Sequence, residues 1–157
     1  MLLLGSNMGD RTGYLASALQ KLEATCGRIV QKSALYESAA WGDVAQGDYL
    51  NSAVVLETTL SPEKLLHCCQ QIEKAHDRER TGKWHPRTLD IDIIFYNDRV
   101  VDLPELKIPH PLLAKRRFVL VPLAEILPNY IHPKLHQSVA DLLTICEDSG
   151  NVWRWKA

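Results

Sequence analysis

Apolar residues recur every three to four positions in two segments of the chain, which is the spacing of an amphipathic helix. The first segment follows Asp10, a candidate N-cap, and stops near Gly27; its apolar positions are Leu15, Ala18, Leu19 and Leu22. The second begins at Ser61-Pro62-Glu63, which combines a capping residue, a first-position proline and an early acid; its apolar positions are Leu65, Leu66, Cys69 and Ile72. The pattern predicts helices over residues 10–27 and 61–80, and a shorter one over 138–146.

Segments rich in β-branched and aromatic residues predict the strands, which are expected over residues 2–4, 28–36, 50–58 and 118–123, with a further strand at Asp90. Residues 37–48 and 106–117 are interrupted by Gly or Pro and are expected to be irregular. After a turn at Asn97-Asp98, residues 100–101 are expected to pair back as a hairpin. This order predicts one domain over residues 1–157. It is an α+β sandwich with a mostly antiparallel sheet and helices on one face, and it resembles ferredoxin-like folds.

Composition narrows the function classes. The chain has 157 residues, 46% of them hydrophobic, and a net charge of -1, so no overall positive field attracts nucleic acid or a membrane surface. Neither a long apolar run nor a basic leader is seen. The spacing of the four cysteines, Cys26, Cys68, Cys69 and Cys146, fits neither a zinc site nor a CxxC pair. Free thiols and a cytoplasmic location are therefore expected. A monomer is expected because the sequence suggests no large exposed apolar helix face.

The first candidate for chemistry is the pair Asp90 and Asp92. Side chains two residues apart in a strand point to the same face, so both carboxylates should share one side. Their neighbours are mostly apolar, and two like charges in such a strand need a cation between them. Mg²⁺ bound to phosphate oxygens is the expected partner. The alternative is a pair of exposed carboxylates on an edge strand.

A second candidate is the basic segment immediately before this strand. Its cations are Lys74, Arg78, Arg80, Lys83 and Arg87. Arginine binds phosphate with two parallel hydrogen bonds, so the cluster suits a triphosphate. Thr81-Gly82 is a candidate hinge for a lid over the phosphates. The alternative is a solvated helix end with internal salt bridges.

Two further groups of residues complete the set. His110 lies between Pro109 and Pro111 with Arg116 nearby, which favours a phosphate contact, whereas His132, in a similar motif, lacks such a basic cluster and is expected to be structural. Trp41 and Tyr49 are suited to stacking on a flat ring, with Gly42 leaving room. The amide of Asn51 is suited to the edge of a heterocycle, although ordinary aromatic packing is the alternative.

In this order and spacing, the motifs resemble one family, the 6-hydroxymethyl-7,8-dihydropterin pyrophosphokinases of the folate pathway. The resemblance covers nearly the whole chain, and its most specific motif is Pro86-Arg-Thr-Leu-Asp-Ile-Asp92. The other matching motifs are Leu4-Gly-Ser-Asn7, Tyr49-Leu-Asn51, Pro109-His110, Arg116 and Phe118. The resemblance implies transfer of the pyrophosphoryl group of ATP to the hydroxymethyl oxygen of the pterin, giving pterin diphosphate and AMP.

The resemblance also implies residue roles. Two Mg²⁺ ions would be held by Asp90 and Asp92, which count as catalytic together with Arg78 and Arg87. ATP would contact Gln70, Glu73, Arg80, Trp84, Arg87, Ile93, His110 and Arg116. The pterin would lie between Tyr49 and Phe118, with further contacts from Ser38, Ala39, Trp41, Gly42 and Asn51. The partners expected are therefore ATP and a reduced pterin, without nucleic acid or membrane.

Two other classes of protein were compared with this interpretation. A nucleotide-sugar transferase also uses an Asp-x-Asp motif for a metal, but those chains are usually longer and built on a parallel sheet. An RNA-binding α+β module would need a basic sheet face with exposed aromatic residues, which the net charge and the strand carboxylates oppose.

Overall fold

A six-stranded sheet with helices on both sides is the main feature of the computed structural model, which describes residues 1–40, 47–76 and 88–156. The strands are β1 Leu2–Ser6, β2 Arg28–Lys32, β3 Tyr36–Ser38, β4 Tyr49–Glu57, β5 Asp90–Ile93, β6 Val101–Leu103, β7 Leu106–Ile108 and β8 Val152–Arg154. The helices are α1 Arg11–Thr25, α2 Pro62–His76, α3 Arg117–Ile126 and α4 Val139–Ile145, with a 3₁₀ turn at Leu113–Lys115.

The main sheet is antiparallel throughout, with strand order β5-β1-β4-β3-β8. Strand β2 pairs with the second half of β4, and β3 pairs with its first half. In the centre of the sheet, Gly5 of β1 pairs with Asn51 of β4 on one side and with Asp90 of β5 on the other. The predicted α+β class and antiparallel sheet are confirmed.

Alternation along β1 separates two hydrophobic cores. Leu2 and Leu4 are fully buried against α1 and α2, whereas Leu3 is buried against α3 and α4 on the opposite face. The expectation that the helices lie on one face is therefore correct for α1 and α2 and wrong for α3 and α4. As far as residues 1–40, 47–76 and 88–156 show, the second core leaves one end of its sheet face uncovered, and the candidate site lies there.

Capping side chains start the helices as the sequence predicts. Asp10 Oδ1 accepts a hydrogen bond of 2.9 Å from the Gly13 N–H, and Ser61 Oγ accepts one of 3.3 Å from the Lys64 N–H. Gly27 ends the α1 segment with φ +152°, and a Cβ there would lie 2.2 Å from the Glu57 carbonyl oxygen. Only glycine allows this close approach of the two backbones.

Three strand predictions are wrong. Residues 118–123 lie in α3, because Val119, Leu120, Leu123 and Ile126 form a buried helical stripe despite the β-branched content and Pro122. Residues 28–36 form two strands, β2 and β3, with a register shift between Ile29 and Gln31. Residues 101–103 pair with residues 106–108 instead of pairing back on the Asp90 strand, so part of 106–117 is regular.

The cysteine prediction is also wrong. Cys26, at the end of α1, forms a disulfide with Cys68 of α2 across a sequence separation of 42 residues. The two helices pack side by side, and this contact was not visible from cysteine spacing. Cys69 and Cys146 are free thiols, and burial raises the pKa of Cys69 to about 12. Among the helices described, none has the length and apolar content needed to cross a bilayer.

Candidate active site

A cavity of about 200 Å³ opens on the uncovered part of the sheet, beside the start of α3. Residues of four strands and residues at the start of α3 form its walls. The lining residues are Leu3, Gly5, Ser38, Ala39, Ala40, Tyr49, Asn51, Asp90, Asp92, Arg116 and Phe118. Eight of the residues predicted from sequence are thus brought together in one place.

The two carboxylates share this cavity because of strand alternation. Asp90 and Asp92 are half-buried and line the cavity, whereas Ile91 and Ile93 are 4% and 5% exposed and pack in the core on the α1–α2 side. Cross-strand pairing places Asp92 opposite Leu3, which points to the same face. The predicted common orientation of the two aspartates is therefore confirmed.

A buried amide lies next to the aspartates. Asn51 is 2% exposed, and its Nδ2 donates a hydrogen bond of 3.2 Å to Ser38 Oγ. A Cβ on Gly5 would lie 3.0 Å from Asn51 Oδ1, so a larger residue would press on the amide. Sequence reasoning assigned no contact to Gly5, because only the strand register shows that it faces Asn51 and Asp90.

Among the described residues that line the cavity, Arg116, just before α3, carries the positive charge. Its guanidinium carbon lies 5.8 Å from the centre of the Phe118 ring, within cation–π range. Burial lowers the pKa of Arg116, and the nearby charge of Asp92 opposes that shift. The arginine stays charged at neutral pH because its reference pKa is so high. An anionic ligand would therefore meet the fixed charge of Arg116 beside the carboxylates.

His110 lies outside the cavity lining but within its electrostatic field. Burial is the main cause that lowers the pKa of His110, Arg116 lowers it further, and Asp92 opposes both. Its Nδ1 accepts a hydrogen bond of 3.2 Å from the Leu112 N–H, so the neutral ring carries its proton on Nε2. A neutral donor is thus held near Arg116 and Asp92.

Besides His110, three predicted ATP contacts among the described residues do not line the cavity. Gln70 is exposed on α2, and the Ile93 side chain is buried in the core on the other face of the sheet. Glu73 Oε1 accepts a hydrogen bond of 2.7 Å from the Ile91 N–H, which lies between the two aspartates. The structure therefore gives Glu73 a position from which it supports β5.

The remaining predicted residues fall outside the described ranges. These are Trp41, Gly42, Arg78, Arg80, Trp84 and Arg87, and their roles stay predictions. Within residues 1–40, 47–76 and 88–156, no group of three or more His, Cys, Asp and Glu side chains is arranged to hold a metal. Two carboxylates still suit Mg²⁺, which commonly takes one or two protein ligands and completes its shell with water and phosphate.

Together, the fold and the cavity define an α+β protein with a polar ligand site on one face of an antiparallel sheet. Residues 1–128 match the model of the family 7,8-dihydro-6-hydroxymethylpterin-pyrophosphokinase. The chain belongs to this family.

The names of similar proteins support this family assignment. The chain is 47% identical over 130 residues to the 2-amino-4-hydroxy-6-hydroxymethyldihydropteridine pyrophosphokinase of Aquifex aeolicus, covering 83% of this chain and 81% of that protein. It is 43% identical over 151 residues to the enzyme of that name from Synechocystis, covering 96% and 76%. A folic acid synthesis protein of Dictyostelium discoideum is 38% identical over 151 residues, but those residues are only 23% of its length.

Solved structures show the same fold. The wild-type HPPK-DHPS of Plasmodium falciparum superposes with a TM-score of 0.74 over 91% of this chain at 18% identity. This chain spans 43% of that protein. The predicted family, enzyme class and reaction type are confirmed: the family consists of diphosphotransferases that transfer a pyrophosphoryl group in folate biosynthesis, with ATP as co-substrate.

Proposed function

We propose that this cavity is where the chain transfers the pyrophosphoryl group of ATP to the hydroxymethyl oxygen of 6-hydroxymethyl-7,8-dihydropterin, releasing AMP. One observation carries the proposal: a buried amide, two aromatic residues, two carboxylates and an arginine line the same cavity. The first three suit a flat heterocycle, and the last three suit phosphates with a metal.

The pterin ring is proposed to lie between Tyr49 and Phe118. Asn51 is held by Ser38, so its amide presents a fixed pattern of donor and acceptor to the ring edge. This preorganisation lowers the entropy cost of binding. Ala39 adds a small apolar wall, and Trp41 and Gly42 are proposed to complete the pocket.

Asp90 and Asp92 are proposed to hold Mg²⁺, with two ions when ATP is bound. Their half-buried carboxylates supply hard oxygen ligands on one face of β5. Bound Mg²⁺ would neutralise phosphate charge. The chain itself contributes the position of the carboxylates, since β5 is fixed by β1 on one side and by Glu73 through Ile91.

Phosphate binding is proposed for the basic residues around the two aspartates. Arg116 offers a fixed charge at the cavity, and His110 offers a neutral N–H donor close to it. Transfer of this kind depends mostly on positioning and charge neutralisation. Arg78 and Arg87 are proposed to steady the transferring phosphates. Further ATP contacts are proposed for Arg80 and Trp84. Contacts of ATP with Gln70, Glu73 and Ile93 are proposed outside the cavity, on the α2 side of the sheet, since none of the three lines it.

The test is to incubate the protein with ATP, Mg²⁺ and the reduced hydroxymethylpterin and to separate the nucleotides. AMP formed in equal amount with pterin diphosphate is expected, whereas ADP would show γ-phosphate transfer and refute the proposal. Asp92→Asn keeps the side-chain shape but removes a charge, and we expect turnover to fall at least about a hundredfold. Asp102→Asn, an exposed acid of β6, is the matched control and should stay near wild type.

The proposal also includes the domain organisation, the location and the oligomeric state of the enzyme. We propose a single catalytic domain over residues 1–157 that acts as a cytoplasmic monomer and binds neither nucleic acid nor membrane. Light scattering during size-exclusion chromatography tests the monomer, and a mass of twice 17.8 kDa would refute it.

A further inference from the structure

The end of the chain contacts both walls of the cavity. One wall is formed by β3 with Ser38, and another by Arg116 and Phe118 at the start of α3. We propose that residues 148–155, the C-terminal clasp, set the separation of these walls and so position them for the pterin. The inference rests on the proposed function, and the clasp lies outside residues 1–128 that match the family model.

The clasp holds β3 from its outer side. Strand β8 pairs antiparallel with β3, placing Val152 opposite Ser38 and Trp153 opposite Glu37. The Trp155 N–H donates a hydrogen bond of 2.8 Å to the Leu35 carbonyl, which extends the pairing by one residue on each strand. Because β3 is only three residues long, pairing on both sides strongly limits its movement.

The clasp also holds the start of α3. Asp148 Oδ2 accepts a hydrogen bond of 2.8 Å from the Arg117 N–H, the first backbone donor of that helix. The N-cap residue, Arg116, makes no side-chain capping bond of its own, so Asp148 supplies the cap from a distance of 31 residues. Asp148 Oδ1 also accepts from the Gly150 N–H at 2.9 Å. One carboxylate thus joins the α3 wall to the turn that leads into β8.

A third contact fixes the clasp on the face opposite the cavity. Glu37 accepts a hydrogen bond of 3.1 Å from Trp153 Nε1 and forms an ion pair of 2.7 Å with Arg11. The Arg11 guanidinium carbon also lies 5.2 Å from the centre of the Trp155 ring, and Arg11 donates to the Asp48 carbonyl, one residue before Tyr49. The Glu37 side chain is only 13% exposed, so this junction is more effective than an exposed ion pair.

The test compares Asp148→Ala and Trp153→Phe with two matched variants. Asp148→Asn keeps an acceptor oxygen, and Glu147→Ala removes a neighbouring exposed acid outside the clasp. Amide hydrogen exchange is measured over residues 36–40 and 117–120. Binding is measured for the pterin and, separately, for an ATP analogue with a methylene group between its α and β phosphorus atoms.

For Asp148→Ala we expect faster exchange in both segments and pterin binding weakened about five- to tenfold. Trp153→Phe should have a smaller effect confined to residues 36–40.

Affinity for the ATP analogue should fall less than the pterin affinity, because Arg116 is the one proposed ATP contact on the wall that Asp148 holds, whereas the proposed pterin contacts Ser38 and Phe118 lie on both walls. Asp148→Asn should restore much of the pterin affinity, and Glu147→Ala should behave as wild type. Unchanged exchange in Asp148→Ala would overturn the clasp as a structural link. Faster exchange with unchanged pterin affinity, or an equal loss for both ligands, would overturn its role in pterin positioning. If the wild-type protein bound no pterin, the proposed function itself would fail, and exchange alone would still decide whether the clasp links the two walls.

Discussion

Glu73 Oε1 accepts a 2.7 Å hydrogen bond from the Ile91 N–H, so a side chain of α2 holds the backbone of the strand between Asp90 and Asp92. Within the described part of the chain, strand β5 is at the edge of the sheet, with β1 as its neighbour. An edge strand has one row of backbone groups that no strand satisfies. Glu73 satisfies one of them at the position where the carboxylates must be aligned.

This contact predicts different outcomes for two substitutions. Glu73→Ala removes the acceptor and should lower the free energy of unfolding by about 1–3 kcal/mol and reduce turnover, because the Ile91 N–H loses a charged partner. Glu73→Gln keeps an oxygen at the same place and should retain most of the stability and turnover. Urea unfolding and steady-state kinetics measure both. If Glu73→Gln instead weakened ATP binding as much as Glu73→Ala, the charge would act on the nucleotide directly.

The close approach of Gly5 to Asn51 predicts a sensitive position. In Gly5→Ala, the new Cβ would lie 3.0 Å from Asn51 Oδ1 and 3.8 Å from Tyr49 Cδ1, so the amide must move. We expect pterin affinity to fall about tenfold, as overpacking commonly costs about 1–3 kcal/mol. Calorimetric titration with the pterin measures it. Gly47→Ala is the control, since its nearest contact is the Asn7 carbonyl at 3.4 Å; equal effects of the two variants would contradict the prediction.

His132 lies away from the cavity, and its burial predicts that the stability of the fold depends on pH. It is 5% exposed, packs edge-on against Phe95, and its Nδ1 accepts hydrogen bonds from the Lys134 and Leu135 N–H groups, each 3.1 Å. Burial lowers the pKa of His132, with smaller contributions from Lys134 and His136, while its own backbone opposes the shift. The ring therefore binds a proton less readily in the folded protein than in the unfolded chain.

The direction in which stability changes with pH follows from this difference in pKa between the folded and unfolded states. The stabilisation is fully present above the unfolded-state pKa of about 6.5 and is lost as the pH falls from there toward the lower folded-state value. In this window the slope contributed by one proton reaches at most about 1.4 kcal/mol per pH unit. His132→Asn keeps an acceptor but cannot titrate, so its urea unfolding between pH 7.5 and 5.5 should show a shallower slope. The exposed residue His67 of α2, changed to Asn, is the control, and equal slopes in wild type and His132→Asn would contradict the prediction.

The Cys26–Cys68 disulfide predicts a thiol count. Of the four cysteines, Cys69 and Cys146 are free, so two thiols should react under denaturing, non-reducing conditions and four after reduction. Four thiols without reduction would contradict the crosslink.

Closing a segment of 42 residues should stabilise the fold by about 4 kcal/mol in the chain-entropy model, which a Cys26→Ala, Cys68→Ala double variant measures in urea. Cys146→Ala, outside the crosslink, is the control.

Local signals in the sequence predicted the parts of the fold that depend on neighbours in the chain. The helix starts at Asp10 and Ser61 are set by side chains three residues from their partners, and the common face of Asp90 and Asp92 follows from strand alternation. Helix α3 was mistaken for a strand because its β-branched residues favour strands locally, whereas contact with Leu3 and Ala53 across the chain favours a helix.

The site was predictable to a similar extent. Motif resemblance identified Asn51, Asp92 and Phe118, which line the cavity, without any knowledge of register. It missed the position of Gly5 and the contact from Asp148, because each depends on a pairing between segments far apart in sequence. The disulfide was missed for the same reason, since the spacing of Cys26 and Cys68 carries no sign that α1 and α2 are neighbours.

The alternation of β5 also limits which changes of length this strand can accept. Deleting or inserting one residue between Leu89 and Asp92 would turn one aspartate into the α1–α2 core and bring an isoleucine to the ligand side. Burial of a charge and loss of a proposed metal ligand would then arise from a single change, and no substitution elsewhere on the strand would restore both. We therefore expect that natural variation near this strand changes residue identity far more readily than residue number.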